Sequence, residues 1–406
     1  MEVARAYKFR IYPDTKRRSE IELQLTLSKE FYNLLLEKSI SSYKDGNKKL
    51  SMATLNRFAK EIEKEKKYLQ IYSQTRCEIK YRILKAYSNF FRRCKEKKQG
   101  KKVKAGFPRF KSRDRYYSII YPQDNGSFSI NKGRLRVSRI GTMRIEQHRN
   151  IVGNIKTMAI KREGKDYYAI FTAEQIINPK KVENTNPVGI DMGLNNFIAL
   201  SDGKTTQKPK FLKKREKRIA RWQRIVARRD EKSKRRQKAK GKLQKEWNDV
   251  TNQSDDFAHK LSNELVNSGY TSFAVESLHI DNMMKNHRLA QSIQNASWNR
   301  FMQMLSYKAE SAGMKVIKVD ARDTSKTCSE CGNIMEMPLS MREYNCGRCG
   351  MQLDRDINAS INILNRATFG QKGSNAQGES VRPQKEAVLV ELRTDKTHPL
   401  QDAVIA

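Results

Sequence analysis

The spacing of apolar and polar residues predicts a strand, a group of helices and then a set of strands in the N-terminal half. Residues 4–12 alternate apolar and basic side chains, which is typical of a half-buried strand, and Pro13 and Asp14 end it. Residues 16–93 contain no proline, and Phe31, Leu35 and their neighbours fit a helical face. We therefore expect one strand followed by a domain of several helices.

Residues 116–174 consist of short alternating runs, which predict strands. The turn at residues 163–165 lies between two such runs and predicts a hairpin. Several short strands of this kind indicate a small barrel or sandwich, and the strand at residues 4–12 is a candidate to join it. Residues 92–113 hold eleven Lys or Arg and one acid, which we interpret as a basic linker.

The C-terminal half alternates strands and helices. Two apolar runs flank a Gly/Asn-rich turn in residues 188–200. The later pattern predicts helices at residues 255–267, 297–312 and 354–366, and strands at residues 271–276 and 315–319. After Phe369 the chain is rich in Gly, Ser and Gln, so we expect a mobile tail.

Charge narrows the choice of partner. A chain of 406 residues exceeds the usual size of one hydrophobic core, and its formal net charge is +38. Nucleic acid is the polyanion that offsets such a charge, through release of its counterions. Residues 204–245 hold twenty Lys or Arg and three acids, which indicates either a solvated helix or a phosphate contact, with Lys234, Arg235 and Arg236 as candidate ligands. No apolar run is long enough for a membrane span, and no signal-peptide core is present, so we expect a cytoplasmic protein.

The cysteines predict a structural metal site. Cys328, Cys331, Cys346 and Cys349 form two CxxC pairs separated by 14 residues. Two such pairs supply the four thiolates of a tetrahedral zinc ion, and a fully ligated ion is structural rather than catalytic. The other two cysteines are interpreted as ordinary thiols.

Three acids interrupt or end apolar segments. Asp191 lies within Gly-Ile-Asp-Met-Gly, Glu276 ends the strand at residues 271–276, and Asp356 begins the last helix. A carboxylate in such a position is costly unless it binds a cation. Each acid alone is more simply a cap or a surface charge, but together they predict a Mg²⁺ site for two-metal phosphodiester hydrolysis.

Four motifs then occur in the order in which one nuclease family carries them. They are Gly189-Ile-Asp191-Met-Gly193, Val275-Glu276-Ser-Leu278, the paired cysteines, and Asp354-Arg-Asp356-Ile-Asn358-Ala. Shorter matches lie at residues 7–12, 106–110, 257–262, 307–313 and 318–325. On these motifs the chain resembles the TnpB family, RNA-guided nucleases of insertion sequences related to compact type V CRISPR effectors.

The resemblance implies a multidomain α+β fold. Its RNase H-like (RuvC) nuclease domain would occupy residues 183–322 and 352–366, with a zinc ribbon inserted at residues 323–351. A wedge-like β-barrel would occupy residues 1–14 and 105–182, interrupted by a helical recognition domain at residues 15–104. Residues 367–406 would form a disordered tail.

The resemblance also assigns roles. Asp191, Glu276 and Asp356 would be the catalytic triad holding two Mg²⁺ ions, and Asp356 is preferred over Asp354 because the family's third acid directly precedes x-Asn-Ala. The partners would be a guide RNA and a target double-stranded DNA with a short flanking motif, bound by a monomer in a prokaryotic cell. Three alternatives remain: a cleavage-deficient RNA-guided repressor, an RNase H-fold resolvase or transposase acting without RNA, and a zinc-ribbon transcription factor.

Overall fold

The computed structural model describes residues 2–46, 50–123, 125–178, 182–193, 196–277, 298–338 and 341–369. They divide into two compact units between Ile176 and Ile177. Predictions for the turn residues Leu194 and Asn195, for Leu278, and for the tail beyond residue 369 lie outside this part of the chain. None of the described helices is long and apolar enough to cross a membrane.

The first unit contains a seven-stranded antiparallel sheet. Its strands are β1 Glu2–Tyr12, β2 Ser118–Tyr121, β3 Phe128–Asn131, β4 Arg134–Val137, β5 Gly141–Glu146, β6 Asn154–Glu163 and β7 Asp166–Ile176. The strand order is β2-β6-β7-β1-β5-β4-β3. Strand β1 pairs with β7 on one side and β5 on the other, which confirms that the first strand joins the later ones. The predicted hairpin is β6–β7, with Gly164 in the left-handed region at φ 63°.

The sheet curls, but its hydrogen-bonded ladder is open. Strands β2 and β3 are its two edges, and within the described residues they do not pair with each other. The hydroxyl of Tyr121 on β2 nevertheless donates to the carbonyl of Ser138 after β4, at 3.0 Å. Phe128 on β3 packs edge-on against Phe171 on β7. The predicted barrel is therefore a curled sheet whose ends approach without closing the ladder.

Three helices are inserted between β1 and β2. They are α1 Thr15–Lys44, α2 Met52–Glu63 and α3 Ser73–Lys98. Asp14 caps α1 by accepting from the Arg17 amide at 2.7 Å, as expected for an N-cap aspartate. The prediction of a linker beginning at residue 92 is wrong, because α3 continues to Lys98. The Arg92–Glu96 ion pair and the cations of the last turn both favour the helical end.

Within the described residues, the second unit contains a five-stranded mixed sheet, four α-helices and a small two-stranded hairpin. The sheet strands are β8 Pro187–Asp191, β9 Asn196–Leu200, β10 Thr205–Gln207, β11 Ser272–Glu276 and β12 Lys315–Val319, in the order β10-β9-β8-β11-β12. The helices are α4 Phe211–Arg228, α5 Lys234–Asn267, α6 Trp298–Ser311 and α7 Arg355–Phe369, and the hairpin strands are β13 Glu343–Asn345 and β14 Gln352–Asp354. Strands β8, β11 and β12 are parallel, whereas β8, β9 and β10 are antiparallel.

Most of the basic run at residues 204–245 is helical, as its solvated-helix interpretation expected. The predicted helix at residues 255–267 is only the last part of α5, which starts 21 residues earlier at Lys234. Lys, Arg, Gln and Glu are good helix formers, and Ala239 and Leu243 within the basic run are buried, so the helix extends back to Lys234. Arg215 on α4 pairs with Glu246 and Asp249 on α5, both at 2.8 Å, and joins the two helices.

Helices cover both faces of the mixed sheet. Alternate residues of β11 point in opposite directions, as in any strand. Phe273 and Val275 belong to the core formed with α5 and α6, whereas Ala274 packs with Ile363 and Ala367 on α7. The central strands β8, β9 and β11 are therefore buried along most of their length.

Helix α7 crosses β8 at Gly189 with no room for a side chain. A Cβ atom built on Gly189 would lie 2.0 Å from the Ser360 carbonyl oxygen and 3.0 Å from the Leu364 Cβ. Only glycine therefore allows this approach of helix to strand.

Gly189→Ala should destabilise the second unit by at least the roughly 1–3 kcal/mol that core overpacking costs, because backbone would have to move. The matched change Gly241→Ala, in α5 with nothing within 4 Å of the added Cβ, should be neutral or stabilising by up to about 1 kcal/mol. Chemical unfolding of both full-length variants measures the difference. Equal stability of the two variants would contradict the close packing of α7 on β8.

Candidate active site and zinc centre

Two of the predicted acids lie side by side at the carboxyl ends of neighbouring parallel strands. Ile190 on β8 is in register with Val275 on β11, so the next residues, Asp191 and Glu276, are also level. Both side chains are half-buried. Parallel strands end at the same edge of a sheet, which is why acids 85 residues apart in sequence meet there.

The third acid reaches the same edge from α7. Asp356 is the second residue of that helix, and a Cβ atom built on Gly193 would lie 3.3 Å from the Asp356 Oδ2. The turn after Asp191 therefore passes directly beside the Asp356 carboxylate, and a glycine keeps that space open. The structure thus brings the three predicted acids together from three different elements.

The proximity of the acids affects the ionisation of Asp191. Burial raises the pKa of the Asp191 carboxyl well above its ordinary value, and the neighbouring charges of Glu276 and Asp356 raise it further. Burial is also the main cause of the raised pKa of Asp356; the like charge of Asp354 raises it further, and the charges of Arg342 and Arg355 lower it. The cluster therefore carries more negative charge than its surroundings offset.

Glu276 has a specific hydrogen-bond donor. Burial raises the pKa of the Glu276 carboxyl, while a hydrogen bond from the Thr324 hydroxyl and the charge of Arg366 lower it. Thr324 is buried and lies in the loop after β12. Thr324 lies within the matching residues 318–325, but sequence reasoning gave it no role, because the motif does not show which side chain its hydroxyl meets.

Asp354 serves a different purpose from Asp356. Its Oδ1 accepts hydrogen bonds from the amides of Asp356 at 2.9 Å and Ile357 at 3.1 Å, which makes it the N-cap of α7. A capping carboxylate is held by backbone amides and turned toward its own helix. This geometry supports the choice of Asp356 as the third acid of the cluster.

The donor set of the acid cluster fits a hard cation. Oxygen ligands from carboxylates are what Mg²⁺ prefers, and a cation would offset the mutual repulsion of the three groups. The three carboxylates do not form a tight group. Among the described residues, one group of three or more possible metal ligands has all its ligand atoms within 4.8 Å of one another, and that group is a set of cysteines.

The four predicted cysteines form that set. The Sγ atoms of Cys328 and Cys349 lie 3.6 Å apart, as do those of Cys331 and Cys346. Tetrahedral zinc with Zn–S bonds of about 2.3 Å places sulfur atoms about 3.8 Å apart, so the cluster fits one zinc ion with all four positions filled.

Two equivalent turns hold the cysteine pairs. The amide of Gly332 donates to the Cys328 carbonyl at 3.0 Å, and that of Gly350 donates to the Cys346 carbonyl at 2.9 Å. Both glycines have φ near +70°. The second turn is carried by the β13–β14 hairpin, which leads directly into α7.

The predicted basic contact residues begin α5. Lys234 and Arg235 are exposed, whereas the Arg236 side chain is only 11% exposed and pairs with Glu231 at 3.0 Å. Three cations at a helix N-terminus oppose the helix dipole. Because the side chains of Lys234 and Arg235 are exposed, a phosphate can reach them, whereas Arg236 is already paired with Glu231.

Three family models match separate parts of the chain. One described as "Probable transposase" matches residues 161–287, one described as "Cas12f1-like, TNB domain" matches residues 298–363, and one described as "Helix-turn-helix domain" matches residues 1–48. The second of these contains the zinc centre, Thr324 and Asp356.

Two relatives illustrate the similarity along the chain. A Streptomyces pristinaespiralis protein named "Putative RNA-guided DNA endonuclease" is 29% identical over 396 residues, 95% of this chain and 94% of the relative. A "TnpB-like protein" of Acanthamoeba polyphaga mimivirus is 31% identical over 207 residues, 48% of this chain and 39% of the relative. The predicted resemblance to the TnpB family is confirmed.

The fold has a counterpart among solved structures. In the cryo-EM structure of a Cas12f1–sgRNA–target DNA complex, the Cas12f1 chain aligns with a TM-score of 0.55 at 14% identity, covering 90% of this chain and 99% of that chain. At this identity the likeness shows a shared fold. The helix-turn-helix match is not reflected in the described part of residues 1–48, which forms β1 and one continuous helix, α1.

Asp191→Asn should raise thermal stability at pH 7 in the absence of divalent cations. A carboxyl whose folded pKa is raised contributes stability that is complete below its unfolded pKa of about 3.9 and is lost as pH rises through the folded pKa. At pH 7 the neutral amide therefore removes the cost of burying a charge and its repulsion by Glu276 and Asp356. Each kcal/mol of stability gained should raise the melting temperature by about 2–4 °C. The gain should shrink toward pH 4.

Asp202→Asn is the matched control with the opposite sign. Burial acts to raise the pKa of Asp202, but hydrogen bonds from Lys204 and Tyr270 outweigh it and lower the pKa. That variant should be less stable than the parent at pH 7. Melting curves at pH 4 and pH 7 compare the two, and a destabilised Asp191→Asn at pH 7 would contradict the repulsion described here.

Proposed function

We propose that this chain is an RNA-guided endonuclease that cuts double-stranded DNA by Mg²⁺-dependent phosphodiester hydrolysis. The observation that carries the proposal is the convergence of Asp191, Glu276 and Asp356 at one sheet edge. The name of the Streptomyces relative supports it, as does the likeness to a Cas12f1 chain from a complex with guide RNA and target DNA.

The domain assignment is part of the proposal. A sheet of order β10-β9-β8-β11-β12, with an antiparallel meander and two further parallel strands, supports an RNase H-like (RuvC) domain at residues 183–322 and 352–366. The cysteine turns between β12 and α7 support an inserted zinc ribbon at residues 323–351. In the first unit, the curled sheet would be the wedge-like domain, and helices α1 to α3 the recognition domain.

The residues of the chain prepare the site for the metal. Asp191, Glu276 and Asp356 would hold two Mg²⁺ ions, which activate a water molecule and stabilise the leaving 3′ oxygen. Thr324 orients the Glu276 carboxylate, and the Asn196 side chain hydrogen-bonds Asp356. Because the strands and α7 fix all three backbones, the ligands need little reorganisation when a cation binds.

The net charge of +38 fits a protein that binds an RNA together with a DNA target. In such a complex base pairing with the guide reads the sequence, while the protein contacts phosphates and helix shape. The exposed cations of the α4–α5 hairpin are suited to that task. Because guide pairing reads the sequence, a very basic chain of this kind needs no base-reading motif of its own.

Three alternatives are weaker. A cleavage-deficient RNA-guided repressor has no need for three mutually repelling carboxylates, and all three are present. A resolvase or transposase acting without RNA leaves the sheet and helices of the first unit without a role. A zinc-ribbon transcription factor likewise leaves the acid cluster unexplained.

Asp191→Ala should abolish Mg²⁺-dependent cleavage of a DNA target that is complementary to the guide RNA. It should preserve binding of that RNA. Loss of a direct metal ligand should cost more than the roughly 10–100-fold that outer-shell partners cost. Asp356→Ala should behave in the same way.

Asp354→Ala should keep most activity and lose about 1 kcal/mol of stability, as expected for an N-cap. Activity in Asp356→Ala with loss in Asp354→Ala would mean that the third acid is misassigned.

Lys234→Gln combined with Arg235→Gln should flatten the salt dependence of binding to DNA of unrelated sequence. Each lost phosphate contact lowers the slope of log K against log salt by about 0.9, so the double variant should lose about 1.8. Arg236→Gln is the control, because Arg236 pairs with Glu231, and its slope should match the parent. A parental slope in the double variant would favour a merely solvated helix.

A further inference from the structure

One short segment, residues 324–329, connects the acid cluster to the zinc centre. At its start Thr324 is 3% exposed, and its hydroxyl donates to the Glu276 Oε1. Near its end Cys328 is 2% exposed and belongs to the cysteine cluster. Any displacement of this segment would therefore alter both sites.

Two buried asparagines on α7 hold the segment. Asn358 donates to the Thr327 carbonyl at 2.8 Å and accepts from the Ser329 amide at 2.9 Å. Asn362, one helical turn later, donates to the carbonyls of Thr324 at 2.9 Å and Thr327 at 2.7 Å. The two side chains lie on one face of α7, since residues four apart do so in any helix.

The hydrogen bonds of Asn358 and Asn362 are directional, and an apolar side chain could fill the same space without making them. Asn358 is 0% exposed and Asn362 is 6% exposed, and a buried amide is tolerated only when it is hydrogen-bonded. Leucine would fill the same space without that requirement. The amides instead fix the backbone of the segment relative to the helix that carries Asp356.

The Thr324 hydroxyl has one proton to donate and two nearby acceptors. The Ala321 carbonyl lies 3.4 Å away within the same turn, a weak contact, whereas the Glu276 carboxylate is much closer. A charged acceptor also makes the stronger bond. The hydroxyl therefore donates its proton to the Glu276 carboxylate rather than to the Ala321 carbonyl.

We propose that Thr324 is a positioning residue for metal-dependent cleavage, held by Asn358 and Asn362 so that Glu276 is oriented toward the cation shared with Asp191 and Asp356. The inference rests on the proposed function and deepens it, because it makes the segment between the zinc centre and β12 a determinant of Mg²⁺ affinity. It further implies that the zinc turn and the acid cluster are energetically coupled through α7.

The test compares Thr324→Val, which keeps the shape and removes the hydroxyl, with Thr324→Ser, which restores it. The Mg²⁺ concentration for half-maximal single-turnover cleavage should rise about tenfold in the valine variant, the effect of one hydrogen bond to a charged group. The serine variant should return to the parental value. The rate at saturating Mg²⁺ should change less than the half-saturation, which a general loss of folded protein would not produce.

A second readout does not depend on cleavage. Mg²⁺ should raise the melting temperature of the parent and of Thr324→Ser, but should do so only at higher concentration in Thr324→Val. The control is Thr368→Val, which should match the parent, since among the described residues that hydroxyl donates to carbonyls of its own helix, those of Leu364 and Asn365. Asn362→Leu should shift the Mg²⁺ dependence in the same direction as Thr324→Val and also lose zinc faster to a chelator.

The outcomes separate the inference from the proposed function. A parent that fails to cut any matched target would overturn the proposed function, while the melting curves would still test the role of Thr324. Equal Mg²⁺ dependence of parent and Thr324→Val in the melting curves would overturn the inference even if cleavage is observed. If the valine variant lost its zinc, Thr324→Ala would provide the same comparison with a smaller side chain.

Discussion

The burial of the Asp191 carboxylate beside those of Glu276 and Asp356 at one sheet edge is the constraint around which the second unit is organised. Asp191 and Glu276 end adjacent parallel strands in register, and α7 brings Asp356 to the same edge. Gly189 permits the close crossing of α7, and Gly193 leaves space for the third carboxylate. Such an arrangement weakens the fold unless a cation offsets it, which is the expected signature of a site selected for function rather than for stability.

The distribution of charge suits a protein that must bring a polyanion to this acidic edge. The chain as a whole carries +38, and twenty of its cations lie in residues 204–245. These residues form most of the α4–α5 hairpin, which is inserted between β10 and β11 of the same sheet that carries the acids. Long basic helices can hold phosphates by many weak contacts, while divalent cations offset the repulsion between the scissile phosphate and the carboxylates.

The sequence was most informative where chemistry and periodicity agree. The four cysteines are four of only six in the chain, the three acids interrupt or end apolar segments, and the structure brings each set together. Helix ends were less predictable. Helices α3 and α5 extend through basic segments because Lys and Arg are good helix formers, so a run of charge does not mark a helix end. Thr324, Asn358 and Asn362 could not be assigned roles beforehand, since their partners are backbone carbonyls and a glutamate that only the tertiary fold brings near.

The central claim is that this chain cuts DNA at a sequence chosen by an RNA that it binds. The most direct measurement is to purify the full-length chain with its bound RNA, sequence that RNA, and map cleavage on DNA libraries in the presence of Mg²⁺. The account predicts one defined RNA, with cuts only in DNA complementary to one segment of it and moving when that segment is changed. Absence of bound RNA, or cuts independent of that segment, would contradict the account.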